Sequence, residues 1–285
     1  MALALQLGFL HVALSYLLLL LVVVNGVDET ASSSSSFNME DTNYVFFRYD
    51  DVKPGLKLPI YFGGAFPDEI PHFLPKEKAN SIPFSSKQFP LILKHFGFHK
   101  DSPQAKAMDY TLKMCERKIP GEHKRCVNSL ESMIDYVQQT FDSLGHNDEN
   151  EIGFKVLSSS PLPKGTKLLQ NYTVLEAKRV PSPKMNACHM MVYPYAVFHC
   201  HYPDPENRVF EIKVEGEDGA VVDAIANCHM NTTMFDPNLV AFRMLGFTPG
   251  SAPLCHFLPS DDLVWVPATV DDLKDNYERK NVFSY

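Results

Sequence analysis

The sequence predicts an α+β domain, helical in its N-terminal part and β-rich afterwards. Three observations carry that prediction. Between about residues 86 and 144 apolar side chains recur at helical spacing. Beyond Gly153 the chain breaks into short segments rich in Val, Ile, Tyr and Phe, punctuated by Pro, Gly, Asp and Asn. Helices first and strands later is the order of α+β folds rather than of alternating α/β ones. Third, six cysteines in 285 residues are too few for a disulfide-dense miniprotein, so any bridges should fix local geometry in a chain long enough to bury its own core.

The first 26 residues carry no Asp, Glu, Lys or Arg and hold the apolar run from Leu17 to Val24 ahead of Asn25-Gly26. Residues 1–26 therefore read as a secretory signal peptide, with Val24 and Gly26 as the small residues before the cut. An uncleaved anchor is the rival, because the stretch from about Leu7 approaches a bilayer span. No later segment is apolar enough to cross a membrane. Residues 27–44, with Ser32 to Ser36, are too polar to offset the entropy of ordering and are expected to form a disordered leader. One domain, 45–267, follows, and then a C-terminal tail, 268–285.

Inside the domain, Val45-Phe46-Phe47 and residues 56–62, separated by the turn residues Lys53-Pro54-Gly55, predict two short strands. A helix is predicted over 86–96, with Pro90 in its first turn. Ser102 as N-cap and Pro103 at the first helical position begin a second, with Ala105, Met108, Leu112 and Cys115 at helical spacing. Leu130, Met133, Ile134, Val137, Phe141 and Leu144 define a third. Strands are predicted over 154–157, 172–177, 192–200, 209–214, 221–228 and 263–266. One helix interrupts them, with Asp236 as N-cap, Pro237 in first position and Gly246 as its stop.

A formal net charge of −8 without a basic stripe excludes nucleic acid and an anionic membrane surface as partners, since phosphate binding needs clustered Lys and Arg. Sequons at Asn171 and Asn231 agree with secretion and mark candidate glycosylation sites. No Ser-His-Asp order, phosphate-binding glycine loop or paired-carboxylate motif stands out. Asp261-Asp262 and Asp271-Asp272 read as solvated turn and helix-start residues.

The informative constellation is Cys188-His189, Cys200-His201, Cys228-His229 and Cys255-His256, four Cys-His dipeptides separated by 10, 26 and 25 residues. Six Cys and eleven His placed at random would give about a quarter of one such pair, so a joint reason is required. Adjacent strand residues point to opposite faces, so each dipeptide can send its sulfur to a disulfide and its imidazole into a cavity. In an oxidising compartment cysteines become disulfides rather than thiolate ligands. That leaves His189, His201, His229 and His256 as metal ligands, and copper has the highest affinity among the common divalent ions for such a set. His199 and His123 are spare candidates. A blander reading makes the histidines hydrogen-bonding companions of disulfide half-sites, but gives no reason for the same offset four times. Cys115 and Cys126 lack a following His and flank a Pro-Gly loop between two predicted helices, where a bridge would pin the helical hairpin. The other four cysteines permit three pairings.

At this spacing the sequence resembles the plant BURP-domain family, whose signature is four CH pairs at these intervals. Phe46-Phe47 with Pro54-Gly55, Cys115 and Cys126, Ser129 to Met133, Tyr193-Pro194-Tyr195-Ala196-Val197-Phe198, Pro253-Leu254-Cys255-His256-Phe257 and Val264-Trp265-Val266 add to the match. The short leader and Gly121-Glu122-His123-Lys124 resemble the unknown-seed-protein-like branch. The resemblance implies one of two roles. Some members are copper-dependent peptide cyclases that crosslink a Tyr or Trp side chain of a core peptide, in cis or in trans. Here Trp265 lies inside the domain, leaving Val282-Phe283-Ser284-Tyr285 as the candidate core peptide. Others are non-catalytic seed, cell-wall or stress-associated proteins that bind wall polymers or partner proteins. Either role implies the secretory pathway and a cell-wall, extracellular or vacuolar destination.

Overall fold

Two antiparallel sheets take up the strand-forming segments of the computed structural model, which describes residues 44–63, 70–118, 123–145, 151–182, 184–202, 207–269 and 272. The six-stranded sheet runs in the order β1 (Phe46–Arg48), β10 (Leu254–Leu258), β9 (Val221–His229), β8 (Asn207–Gly216), β5 (Leu169–Arg179), β2 (Lys57–Tyr61). The five-stranded sheet runs β3 (His123–Val127), β7 (Val197–Tyr202), β6 (Asn186–Met191), β11 (Leu263–Thr269), β4 (Glu151–Leu157). The helices are α1 (Lys76–Ser81), α2 (Phe89–Phe96), α3 (Pro103–Glu116), α4 (Leu130–Ser143) and α5 (Val240–Leu245). Strands β1 and β2 precede the helices, and β3 lies between α3 and α4. Among the described residues, no helix is long and apolar enough to cross a membrane. The signal, residues 1–26, nearly all of the leader and most of the tail lie outside the described residues.

Local chemistry accounts for the helix ends. Ser102 accepts the Ala105 amide at 3.1 Å ahead of Pro103, whose missing N–H and fixed φ suit a first turn. Ser129 and Ser132 form a reciprocal capping pair at the start of α4. Gly97 and Gly246 end α2 and α5 at φ of 72° and 69°, a left-handed conformation that costs glycine nothing.

Packing explains how the layers are ordered. Helix α4 buries Met133, Tyr136, Val137 and Phe141 against Phe198 and Trp265 on one face of the five-stranded sheet. Helices α2 and α3 bring Ile92, Met108 and Leu112 against Tyr193, Tyr195 and Val197. The sheets meet each other through Ala187, Val264 and Val266 on one side and Val209, Ile225 and Leu258 on the other. Each such fully buried aliphatic side chain stabilises the fold by about 1.5–3 kcal/mol.

Several expectations need correction. Of the predicted strand 192–200 only the second half is strand: β7 starts at Val197, and the strand before it, β6, ends at Met191, ahead of the predicted range. Pro194 lies in the turn between them, where it need not supply a ladder donor. The helix expected from Pro237 starts at Val240, because the Asp236 carboxylate accepts the Asn238 amide and closes a turn instead of capping a helix. Cys126 does not lie in an interhelical loop. It sits on edge strand β3, which pairs with β7, so its bridge to Cys115 ties the end of α3 to a sheet edge. Strands β3, β6 and β10 and helix α1 had no sequence expectation at all.

Candidate metal centre

Cys188 stands directly opposite Cys200 across β6 and β7, and Cys228 opposite Cys255 across β9 and β10. Both pairs are disulfide-bonded, as are Cys115 and Cys126. Of the three pairings open to the Cys-His cysteines, the fold selects the one between neighbouring strands. Their sulfurs join the outer clusters, Cys188 and Cys200 with Met133 and Phe198, Cys228 and Cys255 with Phe47 and Phe257. The period of two then turns every following imidazole toward the face that the sheets share.

All four histidines come together there, two from each sheet. His189 Nε2 lies 3.3 Å from His201 Nε2, and His229 Nε2 lies 3.3 Å from His256 Nε2. The His189 and His256 rings, 6.5 Å apart between centroids, link the pairs across the sheets. His199 stands opposite His189 in the ladder, with its ring 5.6 Å from that of His201. His123, the other spare candidate, is exposed on the edge strand opposite Tyr202 and does not share that face.

Asp262 belongs to this site, against the expectation of a solvated turn residue. It is 7% exposed; its Oδ2 accepts from His189 Nδ1 at 2.6 Å, and its Oδ1 accepts the Met190 amide at 2.9 Å. The register that pairs Leu263 with Cys188 carries Asp262 alongside His189. An isolated Asp-Asp dipeptide contains no such information. At the second pair, Asn227 Nδ2 lies 3.4 Å from His229 Nε2 and 3.2 Å from Asn207 Oδ1. The Asn227 Oδ1 is buried without a hydrogen-bond partner.

The two pairs differ electrostatically. Burial opposes charge on His189, but the charge and hydrogen bond of Asp262 together outweigh it and raise its pKa. Burial, then repulsion from His256, His201 and His189, holds His229 well below the usual imidazole value. Burial, then His189, pushes His256 down to about 4. His229 and His256 therefore stay neutral, with lone pairs available, through mildly acidic pH.

Two imidazole nitrogens each about 2.0–2.1 Å from one first-row ion, at a near-tetrahedral angle, stand about 3.3 Å apart. Both Nε2 pairs match that edge, so the chemistry and spacing of the donor set fit a first-row ion such as copper at each pair. Among the described residues no group of three or more His, Cys, Asp or Glu forms a ready-made cation cage.

The remaining expected residues are placed as follows. Asn171 and Asn231 are both exposed. Trp265 is in the core against Phe154. Val282, Phe283, Ser284 and Tyr285 lie outside the described residues.

The BURP domain family profile matches residues 45–267. The BURP domain-containing protein BNM2A of Brassica napus is 41% identical over 234 residues, covering 80% of each chain. The BURP domain protein USPL1 of Arabidopsis thaliana is 42% identical over 230 residues, 78% of this chain and 80% of that one. The BURP domain-containing protein 6 of rice is 39% identical over 240 residues, 82% of this chain and 94% of that one.

Proposed function

The chain belongs to the BURP-domain family, and from that premise and its facing imidazoles we propose that it is a secretory-pathway protein that binds copper and oxidatively crosslinks an aromatic side chain of a peptide, in cis or in trans. The observation that carries the reading is the pair of 3.3 Å Nε2 contacts, His189 with His201 and His229 with His256. Three disulfides suit an oxidising compartment and keep all six sulfurs out of the ligand set. Exposed Asn171 and Asn231 would carry glycans there.

Each residue has a definable task. Asp262 orients His189 through Nδ1, leaving Nε2 toward His201. His229 and His256 contribute neutral donors, kept unprotonated by burial and by the nearby imidazoles. The disulfides hold each strand pair in register behind its histidines. Bound copper would supply one-electron oxidation, which no side chain here provides. In the net reaction one phenolic O–H and one C–H are replaced by a C–O bond. Two protons and two electrons leave the peptide, and dioxygen takes them to become hydrogen peroxide. The segment Val282 to Tyr285 is the cis candidate, with the phenol oxygen of Tyr285 joined to the β-carbon of Phe283.

The test is metal analysis and tandem mass spectrometry of the protein secreted from plant cells, alongside His229→Ala and His256→Ala. Bound copper, lost in both variants, together with a copper-dependent loss of two hydrogens from an aromatic residue of the tail or of an added Tyr peptide, supports the reading. A protein without copper, whose variants behave identically, would leave the non-catalytic binding role in its place.

A further inference from the structure

We propose that the Cys115–Cys126 disulfide is a thiol-exchange site for an anionic low-molecular-weight thiol, with Cys115 taking the mixed disulfide and Cys126 leaving as a thiolate. The three bridges are not equally accessible. Cys188, Cys200, Cys228 and Cys255 are each 0% exposed within the apolar clusters, whereas Cys115 and Cys126 are both only half-buried. A thiolate must reach a sulfur before exchange can begin, and exposed disulfides are the labile, regulatory ones. Exchange at this bridge opens no core. It severs the covalent tie between the end of α3 and edge strand β3, while Met108 and Leu112 keep the helix packed and β3 keeps its ladder with β7. The folded protein can therefore carry the adduct.

Charge selects the thiol. Among the described residues of 109–126, Lys113, Arg117, Lys118, Lys124 and Arg125 are basic, against the acidic Asp109 and Glu116. Both carboxylates are engaged, Asp109 by Lys113 at 2.5 Å and Glu116 by the Ser85 hydroxyl and the Ser86 amide at 2.9 and 2.8 Å. The excess of positive charge attracts a thiol that carries carboxylates and repels one that carries an ammonium. The two sulfurs are unequal as leaving groups. Lys124 and Cys126 are two apart on β3 and share a face. The Lys124 ammonium donates to the carbonyl of Met114, the neighbour of Cys115, at 3.3 Å, so it stands beside the bridge and favours a thiolate on Cys126. Cys115 lies in the last turn of α3, whose negative dipole end disfavours a thiolate there. The thiol of lower pKa leaves faster. The incoming thiolate thus bonds to the Cys115 sulfur as the S–S bond breaks, and the electron pair of that bond leaves on Cys126. One disulfide replaces another, with the thiol as sole co-reactant.

Neither sulfur takes part in the histidine pairs, so the outcome is independent of the copper reading. The full-length protein, all three bridges intact, is incubated with glutathione, a thiol of net negative charge, or with cysteamine, a cationic one, at equal thiolate concentrations. Early samples are acid-quenched, alkylated with N-ethylmaleimide and mapped by mass spectrometry without reduction. The glutathione adduct should sit on Cys115 and the maleimide on Cys126, with Cys188–Cys200 and Cys228–Cys255 untouched. Exchange should run about fivefold faster with glutathione than with cysteamine at low ionic strength, and the ratio should approach one at about 1 M salt. Lys124→Gln, which keeps a donor for the Met114 carbonyl, should hold the melting temperature, slow exchange and spread the adduct over both sulfurs. An adduct chiefly on Cys126, equal labelling of all three bridges, cysteamine as fast as glutathione at low salt, or a Lys124→Gln variant that exchanges like wild type overturns the proposal.

Discussion

Asp262 holds His189 from behind: its Oδ2 accepts from the ring Nδ1 at 2.6 Å, while its Oδ1 is pinned by the Met190 amide at 2.9 Å. The carboxylate can only accept, so it sets both the rotation of the ring and its tautomer, directing Nε2 to His201. The partner pair is supported differently, by Asn227 beside His229 and by the Phe257 carbonyl near His256 Nδ1. The two pairs are thus chemically unequal, one backed by a negative charge and the other by neutral dipoles.

Asp262→Asn should reverse the tautomer of His189. The variant keeps an oxygen for the Met190 amide but turns an NH₂ toward Nδ1, so the ring proton moves to Nε2. Long-range ¹H–¹⁵N spectra of metal-free protein at about pH 8.5, above the ordinary histidine range, read this directly. Copper affinity should fall about 10–100-fold. An unchanged tautomer with unchanged affinity would refute the assignment.

Acid should destabilise the metal-free protein through His256. Its folded pKa is about 4, against about 6.5 when unfolded. Between these values the unfolded chain binds a proton that the native state refuses, so stability falls as pH drops from about 6.5 toward 4, by at most about 3 kcal/mol. His189 has the opposite sign: its folded pKa is raised, so its contribution is full below the unfolded value and fades as pH rises through the folded one. Urea unfolding across this pH range should show a shallower acid loss for His256→Asn than for wild type. Parallel curves would count against the buried neutral imidazole.

Peptide mapping without reduction should recover Cys115–Cys126, Cys188–Cys200 and Cys228–Cys255, the bridges in the structure. Replacing both cysteines of the last with Ser should be the most destabilising of the three double changes, by about 3–4 kcal/mol on the chain-entropy estimate. Its residues are 27 apart in sequence, against 12 and 11 for the others. A larger loss from either short loop, measured by thermal unfolding, would show that loop length does not set the order.

The ease of reading a feature tracked how local its cause was. The cap at Ser102 and the stop at Gly246 are set within a few residues, and the structure has each in that role. The start of α5 was misplaced because Asp236 can satisfy a turn as well as a cap. Strand β3 was hidden because its charged sequence, His-Lys-Arg-Cys-Val, has no buried-strand pattern, and it forms only as an edge on β7. At the site, the four imidazoles were legible from their offset, whereas Asp262 was not. Its role depends on β11 aligning with β6.

By itself the sequence determined that four sulfurs and four imidazoles would diverge from shared strand positions, because successive side chains on a strand alternate between its faces. Only the tertiary structure decided which cysteines join, that the two sheets place their histidines within reach of each other, and that an aspartate stands behind one of them. Those outcomes depend on strand register and sheet packing, which are set by apolar contacts between residues distant in the chain.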